Sequence, residues 1–439
     1  MPPRRVAWEV LQAVARGQLA DEALDQALER TPLSSADRGL ATELVYGTLR
    51  QQRRLDRWIA AHSKRPAALP VQILLRLGVY QVQYLDQVPS FAAVDTTVEL
   101  AKHQGLGKAA GFINALLRRA VTESEQEAAG LTLGERYSLP DWLVNLWQTQ
   151  VGTAETEALC QWLNRPAHLD LRVNRLRATV IQVQTSLATA GINTAPIMGL
   201  PNALRVTQAA GRVQDWPGFA EGWWLVQDGA AQVVGYVLNP QPGWRVIDVC
   251  AAPGGKSTHL AELMADQGEV WALDRSAGRL ARVRENATRL GLTALRTRVG
   301  DGTSPQDWPG LADGVLVDAP CSGLGTLHRH PDGRWRQTPE RIRELIPLQA
   351  RLLARASTWV KPGGLLVYAT CTLNPDENEA QIETFLAHQP HWQLAPVPSD
   401  NPVAALLGGQ PQVTLWPQRQ NLDGFFIARL RFCPPSGHP

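Results

Sequence analysis

At 439 residues the chain is too long for one ordinary domain and predicts two or three. Hydrophobic residues make up 44% and charged residues 19%, which supports a sizeable core and excludes wholesale disorder. The formal net charge is only +2, so a nucleic-acid partner must be held by local basic patches and not by overall charge. No apolar run reaches the ~18 residues of a membrane span, and Arg4 and Arg5 are followed by no apolar signal region. The cysteines at 160, 250, 321, 371 and 433 lack metal-ligand spacing. These features predict a cytoplasmic protein without membrane or metal, in which any special cysteine acts as a thiol.

Residues 1–125 read as all-helical. Val6, Val10 and Val14 recur on one face, with Ala7 and Leu11 beside them. Ser34, Ser35 and Asp37 form a capped start ahead of Leu40, Leu44 and Val45. A further helix is expected over Val71–Tyr84, after Pro70. Arg50, Arg53, Arg54, Arg57, Lys64 and Arg65 crowd one junction. That cluster reads either as a solvated edge or as a contact for RNA phosphates. Asp37-Arg38, Leu44 to Arg50, Val98 to Lys102 and Phe112 to Leu117 resemble the NusB family of RNA-binding helical domains.

Glu123 to Ala129 is acidic and alanine-rich, and a linker is expected over 126–139. Helical spacing resumes from Leu139 through Trp147 to Leu163. Strand-like alternation follows at Leu169, Leu171 and Val173, then a helix over Val180–Ala190 and extended segments at Ala203–Thr207 and Trp223–Val226. A small α/β module over 140–235 fits this order, with the last domain over 236–432.

From residue 243 strands and helices alternate, which predicts a mostly parallel sheet. The expected strands are Arg245–Val249, Glu269–Leu273, Leu295–Val299, Gly314–Val317 and Gly364–Ala369, with a last strand at Phe425–Leu430. Helices are expected at Ser257–Met264, Ala277–Leu290 and Pro339–Val360. Pro396–Gln420 reads as loop-rich. Between the first strand and the first helix lies Asp248-Val249-Cys250-Ala251-Ala252-Pro253-Gly254-Gly255-Lys256-Ser257. Its small residues let a ligand approach the backbone, and the helix start supplies free N–H groups. It is not a P-loop, because Cys250 stands where the first glycine of that motif belongs.

Ligands of open α/β sheets sit outside the carboxyl ends of the strands. Asp274, Gly300-Asp301, Asp318-Ala319-Pro320-Cys321 and Thr370-Cys371-Thr372 fall at four such ends. Asp274 can accept both hydroxyls of a ribose. Together with Asp301 and Asp318 it would repel a phosphate chain, so a nucleoside carrying a positive sulfur, S-adenosylmethionine, suits the crevice better. A thiolate is a strong nucleophile, and two cysteines share the crevice. Adding a thiolate to C6 of cytosine turns C5 into an enamine carbon able to take a methyl group. Spacing alone does not decide which cysteine attacks.

The loop 248–257, Gly300-Asp301, Asp318 to Thr326, Arg329 to Asp332 and Tyr368 to Thr372 together resemble the motif series of RNA cytosine-5 methyltransferases. Asp376 to Glu379 and Asp423 to Phe426 add to the match, as do Asn164-Arg165-Pro166, Leu171 to Asn174 and Val226 to Asp228. The resemblance implies a Rossmann-like catalytic domain behind the small module and the helical domain. It implies methylation of C5 of cytosine-967 in 16S ribosomal RNA, either free or in an early small-subunit assembly intermediate, by a monomer.

By the same resemblance Cys371 is the nucleophile. Cys321 assists proton removal or adduct breakdown, and Asp318 contacts the base. The cofactor set is Cys250, Ala251, Ala252, Pro253, Gly254, Gly255, Lys256, Asp274, Arg279, Asp301 and Asp318. DNA cytosine methyltransferases use the Pro-Cys instead, here Cys321. Gly333-Arg334 departs from the family, which more usually has an apolar residue and Lys there. Cys160 reads as buried filler. The competing readings are an RNA-binding or antitermination factor with a relic catalytic domain, and a P-loop nucleotide enzyme. The retained Cys321, Cys371, Asp274 and Asp318 argue against the first, and Cys250 against the second.

Overall fold

The computed structural model describes residues 2–123, 130–209, 211–308 and 311–433. Residues 126–129 of the expected linker lie outside that set. The chain divides into two compact units, residues 1–166 with 327–336, and residues 167–326 with 337–439.

The first unit is helical. Its helices span Pro2–Ala15, Ala20–Arg30, Ser35–Arg50, Gln52–His62, Leu69–Tyr84, Ser90–His103, Ala110–Thr122, Leu133–Tyr137 and Asp141–Leu163. Val6 and Val10 are buried as the four-residue spacing predicts, and Ser34 caps its helix by accepting from the Asp37 N–H. Gly47 lets two helices close up, since a Cβ there would sit 2.0 Å from the Tyr80 hydroxyl. The helix expected from Leu139 to Leu163 is bent at Gly152, whose φ of +77° breaks the helical run.

The basic junction is not one continuous edge facing solvent. Arg50 is buried, 3.9 Å from Glu43. Arg53 donates to the Leu139 carbonyl and to both oxygens of Asp141. Arg54 stacks over the Tyr84 ring at 5.8 Å. Arg50 and Arg53 are thus committed to internal partners, and the Arg53 bonds link residues 86 and 88 positions apart. Nothing local to Arg53 signals those partners.

Residues 327–336 also pack in this unit. His330 pairs with Asp21 at 3.0 Å, and the Trp335 indole N–H donates to the Leu49 carbonyl. Arg334 has no exposed surface. Its guanidinium donates to the carbonyls of Arg50 and Leu163 and to Asn164 Oδ1. Two helix C-termini therefore surround the cation with the negative ends of their dipoles. Burial nevertheless lowers its pKa to about 9. The departure at Arg334 thus falls on a packing position of the helical unit.

The second unit holds two sheets. The smaller contains β1 (Leu169–Val173), β2 (Asn193–Pro196), β3 (Ala203–Gln208) and β4 (Trp224–Val226), in the order β2-β3-β1-β4. β2 was not expected: its four residues are polar or small, and it exists only by antiparallel pairing with β3. The larger sheet contains β5 (Arg245–Val249), β6 (Glu269–Asp274), β7 (Leu295–Val299), β8 (Ala312–Asp318), β9 (Val360–Thr370), β10 (Trp392–Leu394), β11 (Gln412–Leu415) and β12 (Phe425–Phe432). Its order is β10-β12-β9-β8-β5-β6-β7, with β11 also on β12. β5 to β9 pair in parallel, and β12 runs antiparallel to β9.

The segment read as loop-rich contributes β11 and the short helices Ala404–Leu407 and Pro417–Gln420. The helix expected to reach Val360 stops at Ser357, because Val360 already pairs with Ala312 in the sheet. Strand order reverses between β8 and β5. That switch point is where an α/β sheet opens a crevice at its carboxyl ends.

Candidate active site at the strand ends

After β5 the backbone turns through Cys250, with φ +64°, and Gly254, with φ +99°, before the helix Gly255–Leu263 begins. Gly254 is required twice over: by its positive φ, and because a Cβ would come 3.0 Å from the Val283 side chain. Beneath the loop, Ser257 Oγ donates to the fully buried Asp248 at 2.5 Å. Burial lifts the Asp248 carboxyl to about 7. Burial also pushes the Cys250 thiol up to about 12, which disfavours its thiolate. Cys160, wholly buried in the helical unit, is likewise raised to about 12.

Asp274 ends β6 and turns back to the loop. It accepts from the N–H groups of Ala252 at 3.2 Å and Ser276 at 2.9 Å. Arg279 lies 3.4 Å from the same carboxylate and donates to the Ala252 carbonyl at 2.6 Å. Asp301, after β7, accepts from the Thr303 N–H and hydroxyl, and those bonds hold its carboxyl below the ordinary value. Cys250, Asp274, Arg279 and Asp301 line one pocket of about 210 Å³, walled by Leu273, Pro320 and Leu352. Two carboxylates over an apolar wall fit a ribose and a flat base, and they oppose a phosphate chain.

Asp318 ends β8 and meets Lys256 Nζ at 2.7 Å. Burial works against the Lys256 charge, but the Asp318 carboxylate outweighs it and Lys256 is raised above its ordinary value. The charge of Cys371 acts on Lys256 in the same direction.

Cys321 and Cys371, at the neighbouring ends of β8 and β9, lie with their sulfurs 3.4 Å apart, and neither is in a disulfide. The bond to Cys371 first, and burial second, hold the Cys321 pKa well above its ordinary value. Behind them the Gly325 N–H donates to the Cys371 carbonyl and the Gly424 N–H to the Gly325 carbonyl. A Cβ on Gly424 would sit 2.6 Å from Gly325 Cα, so only glycines permit this approach.

Two further residues emerge only from the geometry. Arg172 on β1 has no exposed surface, yet it reaches the cofactor helix, donating to the Gly255 carbonyl, Thr258 Oγ1 and both Glu262 oxygens. Glu377 is equally buried and accepts from the residues that follow both cysteines. Each had been visible as part of a motif. At Arg172 the one further signal was a charge between Leu171 and Val173; Glu377, between Asp376 and Asn378, carried none.

Residues 235–431 match the family described as 16S rRNA methyltransferase RsmB/F. Residues 1–122 match the NusB family, and 139–214 a ferredoxin-like domain of RsmF/B-like methyltransferases. A probable ribosomal RNA small subunit methyltransferase B of Synechocystis is 46% identical, over 98% of this chain and 99% of that one. The ribosomal RNA small subunit methyltransferase B of Serratia proteamaculans is 37% identical, over 96% and 97%. Among solved structures, that of PH0851 covers 98% of this chain and 99% of its own at a TM-score of 0.83 and 28% identity. NSun6 from Pyrococcus horikoshii, solved with the S-adenosylmethionine analogue SFG, shares the fold at 0.59 and 23%, over 67% of this chain and 99% of its own. With full-length relatives at this identity and the matching domain series, the chain belongs to the ribosomal RNA small subunit methyltransferase B family.

Proposed function

We propose that this rRNA methyltransferase methylates C5 of a cytosine in 16S ribosomal RNA, at cytosine-967, through a covalent bond between Cys371 and C6. The observation that carries the proposal is the thiol pair, 3.4 Å apart beside the Lys256–Asp318 ion pair. S-adenosylmethionine supplies an electrophilic methyl group on a positively charged sulfur. The loop from Cys250 to Lys256 would hold it through backbone groups, Asp274 would accept from the ribose hydroxyls, and Asp301 would stand on the side of the base. Arg279 steadies the loop through the Ala252 carbonyl.

Chemistry on the base then falls to the strand ends. The Cys371 thiolate adds to C6, and the electron pair displaced from the C5–C6 bond makes C5 nucleophilic. Asp318, held by Lys256, hydrogen-bonds the base and keeps it in the crevice. Once C5 carries the methyl group, Cys321, ionised at that point, takes the C5 proton as a thiolate. The returning electron pair restores the double bond and expels the Cys371 thiolate. The raised pKa of Cys321 supports Cys371 as the attacking thiol. The substrate is the 16S RNA or an early assembly intermediate, met in the cytoplasm by a monomer. No helix among the described residues is long and apolar enough to cross a membrane.

The test is to map 5-methylcytosine in ribosomal RNA from cells lacking the protein. Loss at position 967, restored by the wild-type gene, is expected; retention of that mark overturns the assignment. Asp274→Ala removes a charge-assisted acceptor worth about 1.5–3 kcal/mol. The cofactor Kd should therefore rise by roughly ten-fold or more, read by calorimetry. Unchanged affinity would remove Asp274 from the ribose.

A further inference from the structure

Glu377 lies in the turn that follows Cys371 and has no exposed surface. Its carboxylate accepts from the Ser322 N–H at 2.9 Å and the Ser322 hydroxyl at 2.5 Å. Gln349 Nε2 donates to it at 2.9 Å, with longer bonds from Asn374 at 3.3 Å and Thr372 at 3.4 Å. Ser322 follows Cys321 and Thr372 follows Cys371, so one side chain spans both cysteine loops. The Ser322 and Thr372 hydroxyls also meet each other at 2.7 Å, and Asn378 accepts from Thr370 and donates to the Thr372 carbonyl.

All the donors to Glu377 are neutral. One oxygen accepts from the Ser322 N–H and Gln349 and the other from the Ser322 hydroxyl, Thr372 and Asn374, so a carboxamide, with one acceptor oxygen, would leave the second set of donors unmatched. The carboxylate thus matches both cysteine loops, and its charge also reaches the neighbouring thiols. A negative charge close to a thiol opposes its ionisation, and Glu377 is among the groups acting on Cys321 in that direction, after the Cys371 bond and burial. The other titratable groups facing the pair are Tyr368, whose hydroxyl donates to the Glu377 carbonyl, and Lys256 with its partner Asp318.

We propose that Glu377 is a positioning residue for the methylation: it holds the Cys321 and Cys371 loops in register and sets how readily the Cys321 thiol ionises. This rests on the division of roles between the two thiols given above. Glu377→Gln keeps the shape, removes the charge and leaves one set of donors without its acceptor oxygen. Alkylation of the full-length protein by iodoacetamide, without RNA, is followed for each cysteine by mass spectrometry across pH.

In Glu377→Gln the Cys321 midpoint should fall by about one pH unit, raising its alkylation rate near pH 8 by roughly ten-fold. Turnover on RNA should drop while the cofactor Kd is unchanged, and Glu377→Asp should restore the Cys321 midpoint. A Cys321 midpoint in Glu377→Gln equal to that of the wild type overturns the electrostatic role. If Glu377→Gln does not fold, Ser322→Ala removes one tie between the loops. It should lower kcat with cofactor Kd intact, and an unchanged kcat overturns the positioning role. Since alkylation is read without RNA, its outcome is independent of the covalent mechanism, which Cys371→Ser tests by itself.

Discussion

Cys371→Ser is expected to yield neither methylated RNA nor a covalent protein–RNA complex, with kcat down by roughly 10³-fold or more, the scale for removing a nucleophile. Cys321→Ala is expected to lose turnover as well, but with an opposite signature. Attack on C6 remains possible, because the Cys371 sulfur is still in place. Breakdown of the adduct loses its assistant, so a complex that survives denaturing gel electrophoresis should accumulate. The double variant should lose that complex, since formation precedes resolution. The 3.4 Å approach of the sulfurs opposes ionisation of both thiols together, and the bond to Cys371 raises Cys321 above its ordinary value; the trapped complex reads which thiol attacks. A trapped complex in Cys371→Ala and none in Cys321→Ala would reverse the roles and give the arrangement of the DNA enzymes.

Arg172→Met is expected to be the most destabilising single change in the second unit. The Arg172 and Glu262 side chains are 0% and 6% exposed and lie 2.7 Å apart. Burial pushes the Glu262 carboxyl up and Arg172 opposes that shift, so removing the cation strands an acid in the interior. Breaking such a pair costs about 3–5 kcal/mol. At about 2–4 °C per kcal/mol for a unit of this size, the melting temperature should fall by roughly 6–20 °C. The Gly255 carbonyl loses its donor at the same time, so cofactor affinity should weaken although Arg172 lies outside the pocket. Replacing both residues, as Arg172→Met with Glu262→Leu, should recover much of the stability, because no uncompensated charge remains. A single variant that melts within about 2 °C of the wild type would show that the pair carries no such weight.

The sequence by itself determined the parts governed by near neighbours. The alternation of apolar strands and capped helices located β5 to β9, because side-chain period and capping act within a few residues. The small residues from Cys250 to Gly255 marked the tight turn after β5, since only such residues allow that turn and a close approach to its backbone. Four polar strand ends marked the crevice, because a parallel sheet places all those ends on one edge.

Tertiary structure alone decided which distant groups meet. Nothing local sends Arg172 to Glu262, ninety positions on, or Arg53 to Asp141, eighty-eight positions on. Residues 327–336 sit in sequence between β8 and β9 yet pack with the helical unit, where Arg334 finds its carbonyls. The two thiols lie fifty residues apart in the chain, and β8 and β9 bring their sulfurs to 3.4 Å. Burial and partner choice depend on the packed surroundings of a group and not on the residues beside it in the chain. The same arginine can therefore be a solvated charge, a phosphate contact or an internal tie, and only the fold decides between them.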